Sequence, residues 1–190
     1  MNDRPVDPIS IDVGGLVQHT VASLYAHLVT RQTGRAVRLA IEARLADAGD
    51  QALSLIDLSE VSILDYSCAD EVVAKLLQRY RDDAALHAYF VFRGVHEPHR
   101  DQIEVVLHRQ SLAAVAETGD GTFELLGVRS AEEAGAWSRL ESRGALPSEA
   151  ASGEPDLMRH LEILAARRLV FRSRTDGTYH ALSRLVRHLF

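Results

Sequence analysis

Apolar positions along this chain follow helical and strand periods in turn, and they do so most clearly from Leu53 to Arg81, LSLIDLSEVSILDYSCADEVVAKLLQRYR. Leu53, Leu55 and Ile56 form a short apolar run that ends at Asp57, the pattern of a strand covered on both faces. Val61, Ile63 and Leu64 carry the apolar pattern on to Asp65. Val72, Val73, Leu76, Leu77 and Tyr80 then recur at helical spacing, with Lys75, Gln78, Arg79 and Arg81 between them. Ser67 suits the N-cap of that helix. Asp70 and Glu71 place negative charge in its first turn, where the helix dipole favours it. The passage therefore predicts a strand, a tight link and an amphipathic helix.

The same reasoning extends to both sides. Pro5 and Pro8 mark a loose lead-in, and Ile9, Ile11 and Val13 alternate as a short strand broken by Gly14 and Gly15. Leu16, Val17, Val21, Leu24, Tyr25 and Leu28 share one helix face, predicting a helix from Leu16 to Val29. After the break TRQTG, with Thr30 and Thr33 as caps, a second helix buries Ala36, Val37, Ala40, Ile41 and Leu45. His87 to Val95 predicts a strand, and His96-Glu97-Pro98-His99 leads into a helix with Pro98 in its first turn. Ala113–Val115 and Phe123–Leu126 predict a hairpin around Gly119-Asp120-Gly121. Strands separated by helices, closed by a hairpin, give an α/β domain with helices packed on a mixed sheet over residues 1–128.

From Ser130 the texture changes. Ala131 to Arg143 predicts a helix opened by a capping box of Ser130 and Glu133 and stopped by Gly144. Leu146 to Gly153 holds at most a short helical piece, and Glu154 to Arg168 is a helix with Pro155 in its first turn. VFRSRTDGTYHAL predicts a two-stranded hairpin turning at Asp176-Gly177, and Ser183 to Phe190 a closing helix. This makes a second, small α+β module over residues 129–190.

Charge sharpens the division. The chain has 190 residues and a net charge of −6, but residues 1–128 hold 11 Lys/Arg against 19 Asp/Glu, and residues 129–190 hold 10 against 8. An acidic body with a basic end suits a module that meets phosphates. A single cysteine, Cys68, rules out an internal disulfide framework and suits a reducing cytoplasm. No run has the length of a membrane span and no leader opens the chain, so no membrane partner is expected.

Candidate chemistry concentrates at the link Asp65-Tyr66-Ser67-Cys68, at the carboxyl side of a strand, where α/β sheets tend to place their sites. Asp65 and Ser67 with a distant histidine form a conceivable triad, but no G-x-S-x-G elbow accompanies them. Asp57 ends a strand and caps a turn with Ser59, and Asp65 satisfies backbone N–H groups. Cys68 is either a first-turn thiol of lowered pKa or a buried small hydrophobe, the second being favoured. His96, His99 and His108 have no recognised metal spacing. Arg31, Thr33, Gly34 and Arg35 lack any phosphate-loop pattern, so capping accounts for them. No catalytic residue, metal or cofactor is assigned, and the chain is expected not to be an enzyme.

LIDLSEVSILDYSCADEVV resembles the STAS domain of bacterial anti-sigma-factor antagonists, in which an apolar strand is followed by D-L-S-x-V, two apolar residues, and D-S-S-G opening a helix. Asp57, Leu58, Ser59, Val61 and Asp65 match, and Ser67 matches the second serine. Ala69, Asp70 and Glu71 are closer to a STAS-like family of unassigned function with S-F-A-D-E at this place. The resemblance spans residues 31–126 and implies a partner surface at Asp65, Tyr66, Ser67, Cys68, Asp70 and Glu71, docking a kinase-like or anti-sigma-type protein. The serine phosphorylated in those antagonists is Tyr66 here, so the serine-kinase switch does not carry over; Ser67 is only a neighbouring candidate.

LMRHLEILAARRLVFRSRTDGTYHAL resembles the recognition helix and wing of the arsenic-repressor and multiple-antibiotic-resistance-repressor families. The resemblance implies DNA contact through Arg159, His160, Arg167, Arg172 and Arg174, with a homodimer needed for tight specific binding. Two features depart from it: the preceding helix is short, and Glu154 and Asp156 stand where phosphate would approach. The expectation is a cytoplasmic regulatory protein in which partner binding at the link alters presentation of the arginine-rich module. The alternatives are a protein–protein adaptor without DNA contact and, third, a small hydrolase or phosphotransfer enzyme.

Overall fold

The structure is a computed structural model that describes residues 7–13, 27–47, 51–83, 86–148 and 153–190. It is an α/β fold made of two compact units that divide between Val128 and Arg129. The larger unit holds a mixed five-stranded sheet, β1 (Asp7–Asp12), β3 (Ala52–Asp57), β5 (Ala88–Arg93), β6 (Ala113–Glu117) and β7 (Phe123–Gly127), in that spatial order. The first four are parallel and β7 returns antiparallel on β6, closing the expected hairpin. A separate two-stranded parallel ladder joins β2 (His27–Leu28) to β4 (Ile63–Leu64).

Among the described residues three helices pack on this sheet: α1 (Arg31–Ala46), α2 and α3 (Glu97–Arg109). Helix α2 is one continuous run of three pieces, Tyr66–Ala69, a π-helical Asp70–Lys75 and Leu76–Asp82. Ile56, Phe90, Phe92, Ala114 and Ala116 from the sheet share one core with Val37 and Ile41 of α1, Val72, Val73, Leu76 and Tyr80 of α2, and Ile103 and Val106 of α3. A single sheet face thus receives all three helices, which follows from a strand order that advances in one direction with like-handed crossovers. The ring of Tyr80 meets Phe90 edge-on at 5.1 Å. Leu53 and Leu55, which alternate with the core-facing residues of β3, are also buried, as the uninterrupted apolar run predicts.

The predicted helix from Leu16 to Val29 falls largely on residues 14–26, outside the described residues; its end differs, because His27 and Leu28 are a strand paired with Ile63 and Leu64. Two helices of the described residues end on a left-handed residue that is not glycine. Ser111 after α3 and Arg168 near the end of the Pro155–Ala166 helix both take positive φ, 53° and 61°. The N–H of Leu112 then reaches Leu107 O and that of Leu169 reaches Leu164 O, both at 2.9 Å, so each terminus closes as a Schellman motif.

In the smaller unit α4 (Ala131–Arg143) carries the capping box: Ser130 Oγ accepts from Glu133 N–H and Glu133 from Ser130 N–H. Gly144 takes φ 74° and ends α4, as a glycine can without Cβ strain. The chain continues through β8 (Ala145–Leu146), α5 (Pro155–Ala166), β9 (Phe171–Arg172), β10 (Tyr179–His180) and α6 (Leu182–Leu189). Beyond the predicted hairpin of β9 and β10, a third strand appears: β8 pairs antiparallel with β10, in a sheet ordered β8-β10-β9. The short helical piece expected before α5 falls partly on residues 149–152, outside the described residues. Trp137, Leu140, Leu161, Leu164, Phe171, Tyr179, Leu182 and Val186 are buried in this unit.

Candidate functional site

Asp65 caps α2. Its Oδ1 accepts the Cys68 N–H at 2.8 Å, satisfying a backbone donor that the start of α2 leaves unpaired, and also accepts the Ser67 hydroxyl at 3.0 Å. The cap is therefore Asp65, two residues earlier than the Ser67 expected from the sequence. Asp57 behaves as predicted, accepting the Ser59 N–H at 2.9 Å.

Tyr66 and Ser67 are half-buried beside this cap. The Tyr66 hydroxyl accepts from Arg109 Nη1 at 2.7 Å, and the guanidinium stands 5.9 Å from the ring centre, tying the start of α2 to the end of α3. Ile63, next to the link, is 46 % exposed.

Cys68 faces inward. It is fully buried, and its thiol donates to Thr30 O at 2.8 Å. Burial, with the Asp65 carboxylate beside it, pushes the thiol up to about 12. Desolvation thus outweighs the first-turn dipole, and Cys68 is a packing residue and not a reactive or partner-facing one. The close approach that buries it depends on Gly34 of α1: a Cβ there would lie 2.9 Å from Cys68 Cα.

Asp70 and Glu71 are buried as well, at 7 % and 2 % exposure. They belong to a seven-charge clasp between α1 and α2. Arg31 donates to Asp70 at 2.6 Å and to Glu71 at 3.1 Å; Arg38 donates to Glu71 at 3.2 Å and to Glu42 at 2.6 Å; Arg79 donates to Glu42 at 2.6 Å. Lys75 bonds Glu71 one turn back and lies 3.8 Å from Asp70, five residues back, a contact the wider π-turn brings into line. Burial pushes the Glu71 carboxyl up, but hydrogen bonds from Lys75, Arg31 and Arg38 outweigh it and hold the group below the ordinary range. The expectation that Asp70 and Glu71 face a partner is corrected: their oxygens bond within the chain, to Lys75 nearby and to Arg31 and Arg38 more than 30 residues away in sequence, a distance no local pattern signals. Of the six residues expected at the partner surface, Asp65 is a cap, Cys68, Asp70 and Glu71 are internal, and Tyr66 and Ser67 retain access to solvent.

Of the histidines considered for metal, His99 is buried, and burial together with His96 lowers its pKa, against hydrogen bonds to the backbone of Ser62 and Gly94. Among the described residues no three His, Cys, Asp or Glu side chains gather as a metal site.

The five residues expected to contact DNA divide. Arg159 on α5 and Arg172 and Arg174 on the hairpin are exposed. Arg172 also stands 5.4 Å over the Tyr179 ring, which stiffens it. His160 lies with Nδ1 2.7 Å from Asp156 O. Arg167 turns inward, pairing with Glu133 at 2.8 Å and so bracing α5 against α4. One of the two acids that opposed phosphate at the start of α5 is itself held: Arg139 of α4 grips both oxygens of Glu154, while Asp156 stays exposed. At the hairpin tip Asp176 accepts the Thr178 N–H at 3.0 Å, and bonds from Ser173 and Thr178 hold its carboxyl at about 2.

No described helix is long and apolar enough to cross a membrane. Compared with protein-family models, with curated proteins and with solved structures, the chain matches none of them.

Proposed function

We propose that this chain is a non-enzymatic, cytoplasmic regulatory protein whose C-terminal module contacts duplex DNA and whose α/β unit docks a protein partner of kinase-like or anti-sigma type. The observation that carries the DNA reading is the exposure of Arg159, Arg172 and Arg174 on one helix and one hairpin, while Arg139 neutralises Glu154 at the start of that helix. The resemblance of this stretch to repressor recognition helices and wings supports it, as does the helix–strand–helix–hairpin order. For the partner, the STAS-like residues Asp57, Leu58, Ser59, Val61 and Asp65 support a docking role. The accessible edge there is Tyr66, Ser67 and Ile63 with Arg109, and not the buried acids. A homodimer would supply the two-fold contact that tight operator binding needs.

The test is fluorescence anisotropy of the full chain on random-sequence duplex DNA at low and moderate salt. Binding should fall steeply with salt. The Arg172→Gln/Arg174→Gln variant should reduce the log–log salt slope by about 1.8, the loss of two phosphate contacts. If that variant binds with the parental slope, the hairpin does not touch DNA. Absence of binding at low salt would favour the second reading, a protein–protein adaptor. The inward pairing of Arg167 with Glu133 is the observation on that side.

A further inference from the structure

Asp101, Val105 and Arg109 recur at four-residue spacing along α3, so they stand in one row on its surface, and all three are exposed. Val105, at 52 %, is the most exposed large apolar side chain among the described residues. More apolar surface lies to one side of the row. The backbone of Ser62 bonds His99 near the start of α3, and Tyr66 bonds Arg109 at its end. The stretch between Ser62 and Tyr66 therefore runs along the helix, and it carries Ile63, exposed, beside the middle turns.

Other charges of α3 are committed on the opposite flank. Arg100 pairs with Glu124 of β7, while Glu104 accepts the Gly127 N–H and meets His108 at 3.4 Å. Asp101 and Arg109 are placed differently. Among the described residues neither is in a salt bridge, and Arg109 bonds the neutral hydroxyl of Tyr66. That bond and the Tyr66 ring hold the guanidinium in place and leave most of its five N–H donors for another acceptor. The two opposite charges are separated by about 12 Å along the helix, too far to meet within one chain. The row is its own complement: opposite charges stand about one turn to either side of an exposed apolar centre. A two-fold contact requires this, because residue i of one copy meets j of the other and j meets i. A partner of different sequence imposes no such symmetry.

We propose that this face of α3 docks a second copy of the chain. The two helices cross antiparallel about a two-fold axis at Val105, so that Val105 meets Val105 and Asp101 of each copy pairs with Arg109 of the other. Ile63 flanks the contact. One helix face is small against the roughly 800 Å² per partner of a standard interface, so the dimer is weak and concentration-dependent. The inference rests on neither the DNA reading nor the partner reading, but it bears on the second. Ile63 and Arg109 belong to the edge proposed for a protein partner, so a second copy and that partner would exclude each other.

The test is sedimentation velocity of the full chain from about 1 to about 500 μM, at low and moderate salt. A reversible monomer–dimer equilibrium that weakens with salt is expected. Asp101→Arg makes the row wholly basic and Arg109→Asp makes it wholly acidic. Each variant alone then sets like charges against each other and should dimerise at least about a hundredfold more weakly. Mixed in equal amounts, the two should form a heterodimer of near-parental strength, because both cross pairs are again opposite in charge. Neither a loss of fold nor a contact with another protein produces that restoration. A parent that stays monomeric throughout would overturn the proposal. So would parental dimerisation by Asp101→Arg, or no heterodimer from two variants that keep the parental urea midpoint. A chain that is monomeric yet binds random duplex would overturn this dimer and leave the DNA reading standing.

Discussion

Glu71→Gln tests whether the charge clasp between α1 and α2 holds the larger unit together. The Glu71 side chain is 3 % exposed and meets Arg31, Arg38 and Lys75. Breaking a buried ion pair costs about 3–5 kcal/mol when the partner is left uncompensated. Here the loss is smaller for two reasons. Arg31 and Lys75 are 49 % and 40 % exposed, so water screens them. Arg31 also keeps Asp70 and Arg38 keeps Glu42, both at 2.6 Å. About 2 kcal/mol remains, which lowers a urea midpoint by about 1 M for an m-value of about 2 kcal/mol/M. Cys68 supplies the readout. It is the chain's one cysteine, fully buried, with its thiol pushed up to about 12, so an alkylation pulse labels it only when its own unit opens. Pulsed alkylation across urea therefore follows this unit alone. The pH dependence has a definite sign. Glu71 sits below its ordinary value in the folded state, so its contribution is complete above the ordinary carboxyl range and is lost as pH falls through the folded value. The gap between parent and variant should hold near neutral pH and close in acid. A midpoint shift under about 0.3 M near neutral pH would refute the clasp as a stabilising element.

Two further substitutions probe the backbone around the link. Gly94→Ala places a Cβ 2.4 Å from Ser59 Oγ and 2.5 Å from its backbone nitrogen, at φ 70°; it should cost about 3 kcal/mol or more by urea unfolding, and a cost below about 1 kcal/mol would show that the turn after β3 yields. Asp65→Ala removes the cap of α2 and should cost about 1–2 kcal/mol, with Asp65→Asn recovering most of it; equal stability of all three proteins would deny Asp65 that role.

The elements that were legible share a local cause. Asp57 with Ser59, Ser130 with Glu133, and Asp176-Gly177 each satisfy backbone groups within a few residues, so their chemistry is visible in short windows. The ends of α3 and α5 were not visible in this way, because Ser111 and Arg168 take the left-handed conformation that a glycine would have announced. The candidate surface was misjudged for a related reason. Helical spacing and the dipole place Asp70 and Glu71 in a first turn, but neither says what crosses over it. Helix α1 does, at Gly34, and brings Arg31 and Arg38 onto both acids.

Hydrophobic periodicity, caps and turn residues, all of them interactions within a few positions, determined by themselves the α/β order of elements, the hairpins at Gly119–Gly121 and Asp176-Gly177, and the change of texture near Ser130. The tertiary structure alone decided the pairing of β8 with β10, the β2–β4 ladder and the burial of Cys68. Each of these depends on contacts between residues about 30 or more apart, and a side chain's partners at that range are set by which helix packs over which strand, a property no window of sequence contains.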